Sequence, residues 1–589
     1  MAFLPTTVKE LEERGWDYVD VIFVSGDAYV DHPSFGCAVI CRYLEKAGYR
    51  VAVLAQPNWQ DDLRDFKKMG QPRLCFCVSS GCMDSMVNHY TAAKRKRSDD
   101  AYTAGGQSGF RPDRATSVYS EILKRLYPSV PVLIGGIEAS MRRLAHYDYW
   151  SDTLMPSVLL TSGADMLIYG MGEKVVERIC DELKAGRKIN EITDMEQTAY
   201  LCRKPNATKK AWADVFVPSF EQCRRDKKAQ AKSVCLFEKH SNKSDDERLI
   251  QKYEKEGVYV VVNPFDRSYS GEDLDNIYLL PFERKPHPKY VKRGTVPAFE
   301  MIKYSVNIHR GCFGGCAFCT IAAHQGKRII SRSRKSILRE IEIISKDKDF
   351  KGYLSDLGGP SANMYMMKGR NDELCRKCVR PSCLYPVLCK NMNNDHVPLL
   401  ELYEAVRKLP YIKKAFVGSG IRYDLFDKSD YFEILCRHHV SGRLKVAPEH
   451  SSDRVLKQMR KMPFSQFVDL KKRFEKINRK YGLNQQLIPY FISSHPACDM
   501  RDMVDLASQT AALGYRLQQV QDFTPTPMTI ATETYYTGMD IYTGEKVFTE
   551  KNPAAKQMQN RIFFWYKPEN RNWARNVFKK YGKQFPRQG

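Results

Sequence analysis

The sequence predicts an α/β protein of two main domains: a doubly wound N-terminal domain followed by a partial TIM-type barrel. Three observations predict it. Strand-length apolar runs alternate with amphipathic helical stretches up to about residue 185, the alternation gives way to a polar stretch, and it resumes from about residue 296. A chain of 589 residues is also too long for one core.

The first domain is read from its elements in order. VDVIFVS at 19–25 is an apolar strand, Gly36–Ala47 a helix, and Arg50–Leu54 the next strand. Leu74–Ser79, Val130–Ile134 and Met166–Tyr169 continue the strands, with helical stretches such as Ser117–Leu126 between them. Gly135-Gly136 and Gly170-Met171-Gly172 follow strands, where such sheets place ligand turns. Residues 186–295 read as a polar connecting region, with a charged run at Arg224–Lys228 and three prolines in PFERKPHPKY.

In the barrel, 296–545, strands are expected at Ile302–Ile308, Gly352–Leu357, Lys414–Gly418, Leu444–Ala447, Leu487–Phe491 and Leu517–Phe523. Helices such as Ser336–Ser345, Pro463–Tyr481 and Met500–Leu513 separate them. Active residues then belong at the C-terminal strand ends. Residues 371–395 break the pattern as a cysteine-rich insertion, and 546–589 form a basic C-terminal extension. From 551 onward it carries ten Lys and Arg against one acid, Glu569, with aromatics such as Phe563, Trp565 and Trp573 that are expected to pack back on the barrel.

Composition narrows the function classes. No apolar run approaches the roughly 18–20 residues of a membrane helix, and the first residues do not resemble a secretory leader. A cytoplasmic protein is expected, with no membrane partner. In that setting 18 cysteines point to metal rather than to a disulfide framework. The net charge of +24 favours an anionic partner, with nucleic acid first, RNA included.

The chemistry centres on VNIHRGCFGGCAFCTIAAHQGK at 306–327. Cys312, Cys316 and Cys319 form C-x3-C-x2-C after the first barrel strand. Three thiolates suit a four-iron cluster and leave one iron open to a small molecule. Gly314 and Gly315 let the loop wrap closely, and Phe318 can exclude water. Zinc is the competing metal, with His309 and His324 as nearby further ligands.

This motif, with its aromatic before the last cysteine, resembles the signature of the radical S-adenosylmethionine (SAM) superfamily. The whole chain resembles one branch, the YgiQ family. The segments that carry the likeness include GDAYVDHPSFG (26–36), IGGIEASMRRLAHYDYW (134–150), RGCFGGCAFC (310–319), VAPEHSSDRVLKQM (446–459), YFISSHPACDM (490–500) and DFTPTPMTIATETYYTG (522–538). The resemblance implies a [4Fe–4S] cluster on the three cysteines, SAM chelated at its open iron, and a reducing partner such as flavodoxin or ferredoxin. It implies SAM contacts from Gly358 and Gly359, although Pro360 replaces the usual acid, and from Ser419 and Arg422. Arg332 and Arg334 also match a common position after the cluster loop. It implies no particular substrate.

Two further cofactor questions follow. Cys375, Cys378, Cys383 and Cys389 lie within fifteen residues and suit a second iron–sulfur cluster or a structural zinc. Some radical SAM branches carry cobalamin on an N-terminal domain of this architecture. Here Asp31-His32-Pro33-Ser34-Phe35-Gly36 departs from the Asp-x-His-x-x-Gly of histidine-ligated cobalamin, which leaves cobalamin doubtful. Asp31, His32, Glu138, Arg142, Arg143, His146, Tyr147 and Asp148 are expected to line a pocket at the strand ends, and Glu449 and His450 to face substrate or SAM. The reading is a radical SAM enzyme that abstracts hydrogen from an unknown substrate, nucleic acid first. The alternatives are a non-catalytic, metal-stabilised RNA-binding protein, or a radical SAM enzyme for a small molecule or peptide.

Overall fold

The computed structural model describes residues 3–205, 210–242, 246–426, 429–518 and 520–586. Gln519, in the sixth expected barrel strand, and 587–589 of the expected tail fall outside them. The chain divides into two compact units. The first is Met1–Lys303 with Ala323–Gly326 and Arg376–Val379; the second is Tyr304–Ala322, Lys327–Cys375 and Arg380–Gly589.

The first unit is built on a nine-stranded sheet. Its strands are β1 (Val21–Ser25), β2 (Val51–Ala55), β3 (Cys75–Ser79), β4 (Val132–Gly135), β5 (Met166–Ile168), β6 (Thr198–Cys202), β7 (Ala213–Val217), β8 (Glu247–Tyr253) and β9 (Val258–Val262). Their spatial order is β7-β8-β9-β6-β5-β4-β3-β1-β2. The run from β2 to β5 is parallel, in the 2-1-3-4-5 order of a doubly wound sheet. These strands read as continuous apolar runs because both faces are covered: β1 is buried at every position. Helices α1 (Gly36–Lys46), α2 (Ala115–Leu126) and α3 (Glu173–Lys184) bury one face each, as with Val175, Val176, Ile179 and Cys180 of α3. Cys41, Cys75, Cys77 and Cys180 belong to this core.

The region expected as a polar connector differs. Residues 198–262 supply β6 to β9, which extend the sheet through antiparallel pairs and close with a parallel β7–β8 pair. Polar residues on β8 conceal its burial. Arg248 is buried because it pairs with Asp214 of β7, and Gln251 because it accepts from Ala145 N at 2.8 Å and donates to Pro218 O at 3.1 Å.

The second unit holds parallel strands in chain order: β10 (Ser305–Asn307), β11 (Tyr353–Leu354) continued by β12 (Asp356–Gly358), β13 (Lys414–Ala415), β14 (Arg443–Glu449), β15 (Gln486–Ser493) and β16 (Val520–Asp522). β10 pairs with β12, β11 with β13, β14 with β15 and β15 with β16, and an Ile421–Val446 bridge joins the two halves. This is the partial barrel expected. Its helices include α4 (Arg334–Ser345), α5 (Val397–Arg407), α6 (Phe464–Tyr481) and α7 (Met500–Ala512). In α6, Phe467, Leu470, Phe474 and Ile477 repeat every three to four residues and are buried, and Gly482 ends the helix at φ +60°. A capping box between Asp499 and Asp502 starts α7.

The insertion is pinned at its neck, where Lys368 and Gly369 pair with Asn393 and Met392. At the C-terminus, α8 (Pro553–Ile562) and α9 (Pro568–Lys580) bury Ile562, Phe563, Trp565 and Phe578. The Tyr566 hydroxyl donates to Leu517 O. Phe563 and Trp565 are core, as expected, while Tyr566 and Trp573 are half-buried.

Candidate functional site: the cysteine loop at the barrel mouth

Cys312, Cys316 and Cys319 lie in the loop that follows β10. The loop has little freedom. A Cβ on Gly311 would lie 2.0 Å from Arg328 O, and one on Gly315 would lie 2.1 Å from Pro381 O; both residues have positive φ. Ala317 is tied on both sides, donating to Met459 O at 3.1 Å and accepting from Ala531 N at 2.9 Å. Ser382 Oγ donates to Gly314 O at 2.6 Å and Cys383 N to Phe313 O at 3.1 Å, so the start of the second cysteine group braces the first.

The donor set suits an iron–sulfur group. Three soft thiols share the loop. Gly314 N donates to Cys312 Sγ at 3.4 Å, and Arg422 Nη1 lies 3.2 Å from Cys316 Sγ. N–H donors and a cation beside sulfur are what thiolate ligands need. Burial, then the neighbouring sulfurs of Cys316 and Cys312, pushes the Cys319 thiol up to about 12; burial raises Cys312 while Arg422 opposes it. The thiols therefore act on one another. Among the described residues no three His, Cys, Asp or Glu side chains stand close enough to hold a metal ion as they are.

The strand ends around the loop carry the remaining candidates. Gly358 and Gly359 end β12, but a Cβ on Gly359 would lie 2.7 Å from His309 Nε2 and one on Gly358 2.6 Å from Ser419 Oγ. His309, with Nε2 3.0 Å from Ser361 O, thus packs on the glycine turn. The Ser419 hydroxyl bonds Asp356, whose carboxylate also accepts from Gly418 N at 2.8 Å and Ser419 N at 3.1 Å. Ser419 therefore shapes the turn after β13. Arg422 is held bidentately by Asp424, and its backbone is exchanged with Asn363 at 2.8 and 2.9 Å. Arg332 is fully buried on Glu340, with Nη1 2.9 Å from Asn307 O, so it braces β10 against α4. Arg334 is exposed and lies 3.6 Å from Glu401.

Glu449 ends β14 at φ +69°, a strained conformation for a non-glycine residue. Its carboxyl is raised by burial, against the pull of Lys461 and Arg422, and Lys461 Nζ stands 3.6 Å away. Arg422, Tyr423, Asp424 and Lys461 help line a cleft of about 220 Å³, open solvent included. His450 Nδ1 accepts from Ser452 N, leaving Nε2–H toward Cys498 Sγ at 3.5 Å. Asp356, Asp424 and Lys461 were not singled out by the sequence. The only sequence mark was Asp424 two residues after Arg422.

Of the second cysteine group, Cys375, Cys383 and Cys389 belong to the second unit and Cys378 to the first. Cys375 Sγ accepts from Asn391 Nδ2 at 3.2 Å, and Cys389 N donates to Cys383 O at 2.8 Å.

The N-terminal polar set lies in the interior of the unit rather than at an exposed rim. Each member is buried and engaged by neighbouring polar side chains or backbone groups of the unit. Asp31 pairs with Arg42, and Arg142 with Asp84. Glu138 accepts from Ser85 N and Thr116 N, and Asp148 pairs with Arg114 at 2.8 Å. Tyr147 bonds Asp152, and His146 Nδ1 lies 3.0 Å from Leu144 O. Arg143 is held by the carbonyl of Ser140 and lies over the rings of Tyr169 and Phe237, and His32 Nδ1 accepts from Ser34 N. The expectation misjudged depth: polar residues after strands read as a rim, whereas here they fill the interior.

Comparison with known proteins places this geometry. The family described as Radical SAM N-terminal matches residues 3–305, and a domain of unknown function (DUF3362) matches 518–585. A UPF0313 protein of Bacteroides thetaiotaomicron is 56% identical, over 99% of this chain and 97% of its own length. One from Porphyromonas gingivalis is 53% identical, over 99% and 93%. Among solved structures, a radical S-adenosylmethionine methyltransferase, TsrM of Kitasatospora setae, is similar with tryptophan and a SAM analogue bound. It has a TM-score of 0.51 at 13% identity, over 93% of this chain and 89% of that one. The same enzyme with cobalamin and a [4Fe–4S] cluster bound gives a TM-score of 0.50. These structures share the fold.

Proposed function

Because the chain belongs to the UPF0313 (YgiQ) family of radical SAM proteins, we propose that it binds a [4Fe–4S] cluster on Cys312, Cys316 and Cys319 and reductively cleaves SAM to abstract hydrogen from a substrate. The observation that supports this most is the setting of the three thiols: one braced loop after the first barrel strand, with the Arg422 guanidinium 3.2 Å from Cys316 Sγ. When bound, the cluster supplies the electron that splits SAM, and its three cysteine ligands leave one iron for SAM.

The chain's own residues do the rest. The glycine turns hold the thiols in one loop, and Arg422, fixed by Asp424, offsets thiolate charge. Lys461 and Arg422 offer cations and Asp424 an anion along the cleft, and Glu449 stands 3.6 Å from Lys461. Such paired charges suit the zwitterionic methionyl end of SAM. Phe318, ring to ring with His495 at 6.0 Å, helps keep water from the loop. A small electron-transfer protein such as flavodoxin or ferredoxin fits the need for a reductant.

For substrate, the +24 charge supports an anionic class, with RNA first, and exposed Lys567, Arg575, Lys579 and Lys580 of the C-terminal helices add to it. Among the described residues no helix is long and apolar enough to cross a membrane. Electron paramagnetic resonance of the reduced, reconstituted protein tests the cofactor reading. Added SAM should change the cluster spectrum; an unchanged spectrum at saturating SAM counts against an open iron.

A further inference from the structure

The shared fold raises the question of cobalamin, which the TsrM structure contains. A doubly wound sheet takes its ligand in the crevice beyond the carboxyl ends of its strands, at the point where strand order reverses. In the order β2-β1-β3-β4-β5 that point lies between β1 and β3. The residues beyond those two ends are Gly26-Asp27 and Ser80-Gly81-Cys82.

They touch each other directly. Gly26 N donates to Ser79 O at 3.0 Å, and a Cβ on Gly26 would lie 2.2 Å from Ser80 O. A Cβ on Gly81 would lie 2.0 Å from Asp27 Oδ1, and Cys82 N donates to Asp27 Oδ2 at 2.7 Å. Across this joint lies Arg111, with Nη1 2.7 Å from Ser80 O and 2.9 Å from Asp27 Oδ1, and Nη2 2.8 Å from Asp100 Oδ2. Asp27, Asp100 and Arg111 are exposed by only 3%, 2% and 1%. The next seam is equally tight: a Cβ on Gly136 would lie 2.6 Å from Ser79 Oγ. On the other side Gln56 Nε2 donates to Gly26 O at 3.0 Å and to Thr103 Oγ1 at 2.7 Å. His32, the one histidine of the Asp-His segment, is 1% exposed and packs edge-on to Phe299.

We infer that this protein does not bind cobalamin: the ligand crevice of its N-terminal sheet is closed by the Asp27–Arg111–Asp100 ion-pair network, which has become an internal joint. A corrin ring with its nucleotide tail needs an open cleft between these strand ends. Opening one would break a buried triad of charges, which is costly when one partner is left alone. The glycines at 26, 81 and 136 are then explained by packing rather than by a ligand. The reaction accordingly draws on SAM without cobalt, which sets this chain apart from the cobalamin-containing structure of the same fold.

The test uses the full-length, iron-loaded protein without oxygen. It is incubated with excess hydroxocobalamin or methylcobalamin and desalted, and retained cobalt is counted. The result expected is no cobalt above a blank. Retention of one cobalt per chain overturns the inference. Gly81→Ala gives a second measurement: the joint predicts a lower melting temperature or failure to fold, whereas an unchanged melting temperature shows slack at the joint and overturns it. Formation of 5′-deoxyadenosine in the same preparation reports separately on the radical SAM reading, so the two can fail independently.

Discussion

The guanidinium of Arg422 spans Cys316 Sγ, 3.2 Å from Nη1, and the Asp424 carboxylate, which accepts from Nε at 3.0 Å. One buried cation thus joins a thiol of the cysteine loop to the cleft that Arg422 and Asp424 line. An N–H donor on a thiolate sulfur makes an added electron on the cluster easier to accommodate. Arg422→Met, which keeps the length of the side chain, should therefore shift the cluster midpoint to more negative potential and slow SAM cleavage by about 10–100-fold, the usual range for partners of metal ligands. A dye-linked potential titration followed by paramagnetic resonance reads the shift. An unchanged midpoint in a fully iron-loaded variant would show that the contact does not reach the cluster.

Gly315 is, with Gly311, one of the loop's two tightest points. Its φ is +60° and an added Cβ would meet Pro381 O at 2.1 Å. Gly315→Ala should cost about 1–3 kcal/mol, by strain and displacement of 380–382. The variant should fold with a lower melting temperature and retain less iron than wild type, both measurable on one preparation.

Arg332 matched a family position in sequence, yet it serves as structure. It and Glu340 are exposed by 0% and 1% in their side chains, and Tyr365 donates to the Arg332 carbonyl at 2.9 Å. Glu340→Ala should destabilise by about 3–5 kcal/mol, because it leaves a buried guanidinium uncompensated. Denaturant unfolding checks this. Arg334→Ala, at an exposed pair, should lie near wild type.

Three buried histidines of the barrel give a pH dependence. Burial is the chief cause for each: His439 and His495 are lowered to about 4 and His450 to about 3. They are neutral in the fold and gain protons near pH 6.5 when unfolded. Their contribution is therefore intact above about pH 6.5 and is lost as pH falls from there toward about 4. Asp356 and Glu449, raised by burial, oppose this at the acid end. Melting temperature should fall between pH 7 and pH 5, and His439→Gln, which keeps a donor for Ala415 O, should flatten the slope.

The barrel was legible because its strands are short apolar runs separated by helices of clear period, and the order of β10 to β16 follows the chain. The cysteine loop was legible because its three thiols are close in sequence. Asp356, Asp424 and Lys461 were not, since their roles arise from contacts between separate strand ends. The bond from the Ser419 hydroxyl to Asp356 was hidden for the same reason. In the first unit, Arg248 and Gln251 made β8 look like a connector because their partners, Asp214 and Ala145, lie far off in the chain. The polar segment 138–148 read as a pocket because burial depth does not appear in residue type.

The central claim is tested most directly by 5′-deoxyadenosine. The protein is reconstituted without oxygen, reduced with dithionite in the presence of SAM and analysed by mass spectrometry, beside a variant with Cys312, Cys316 and Cys319 all changed to Ala. The account predicts 5′-deoxyadenosine from wild type and none from the variant. Equal yields from both, or none from a fully iron-loaded wild type even with cell extract as a source of substrate, would contradict it.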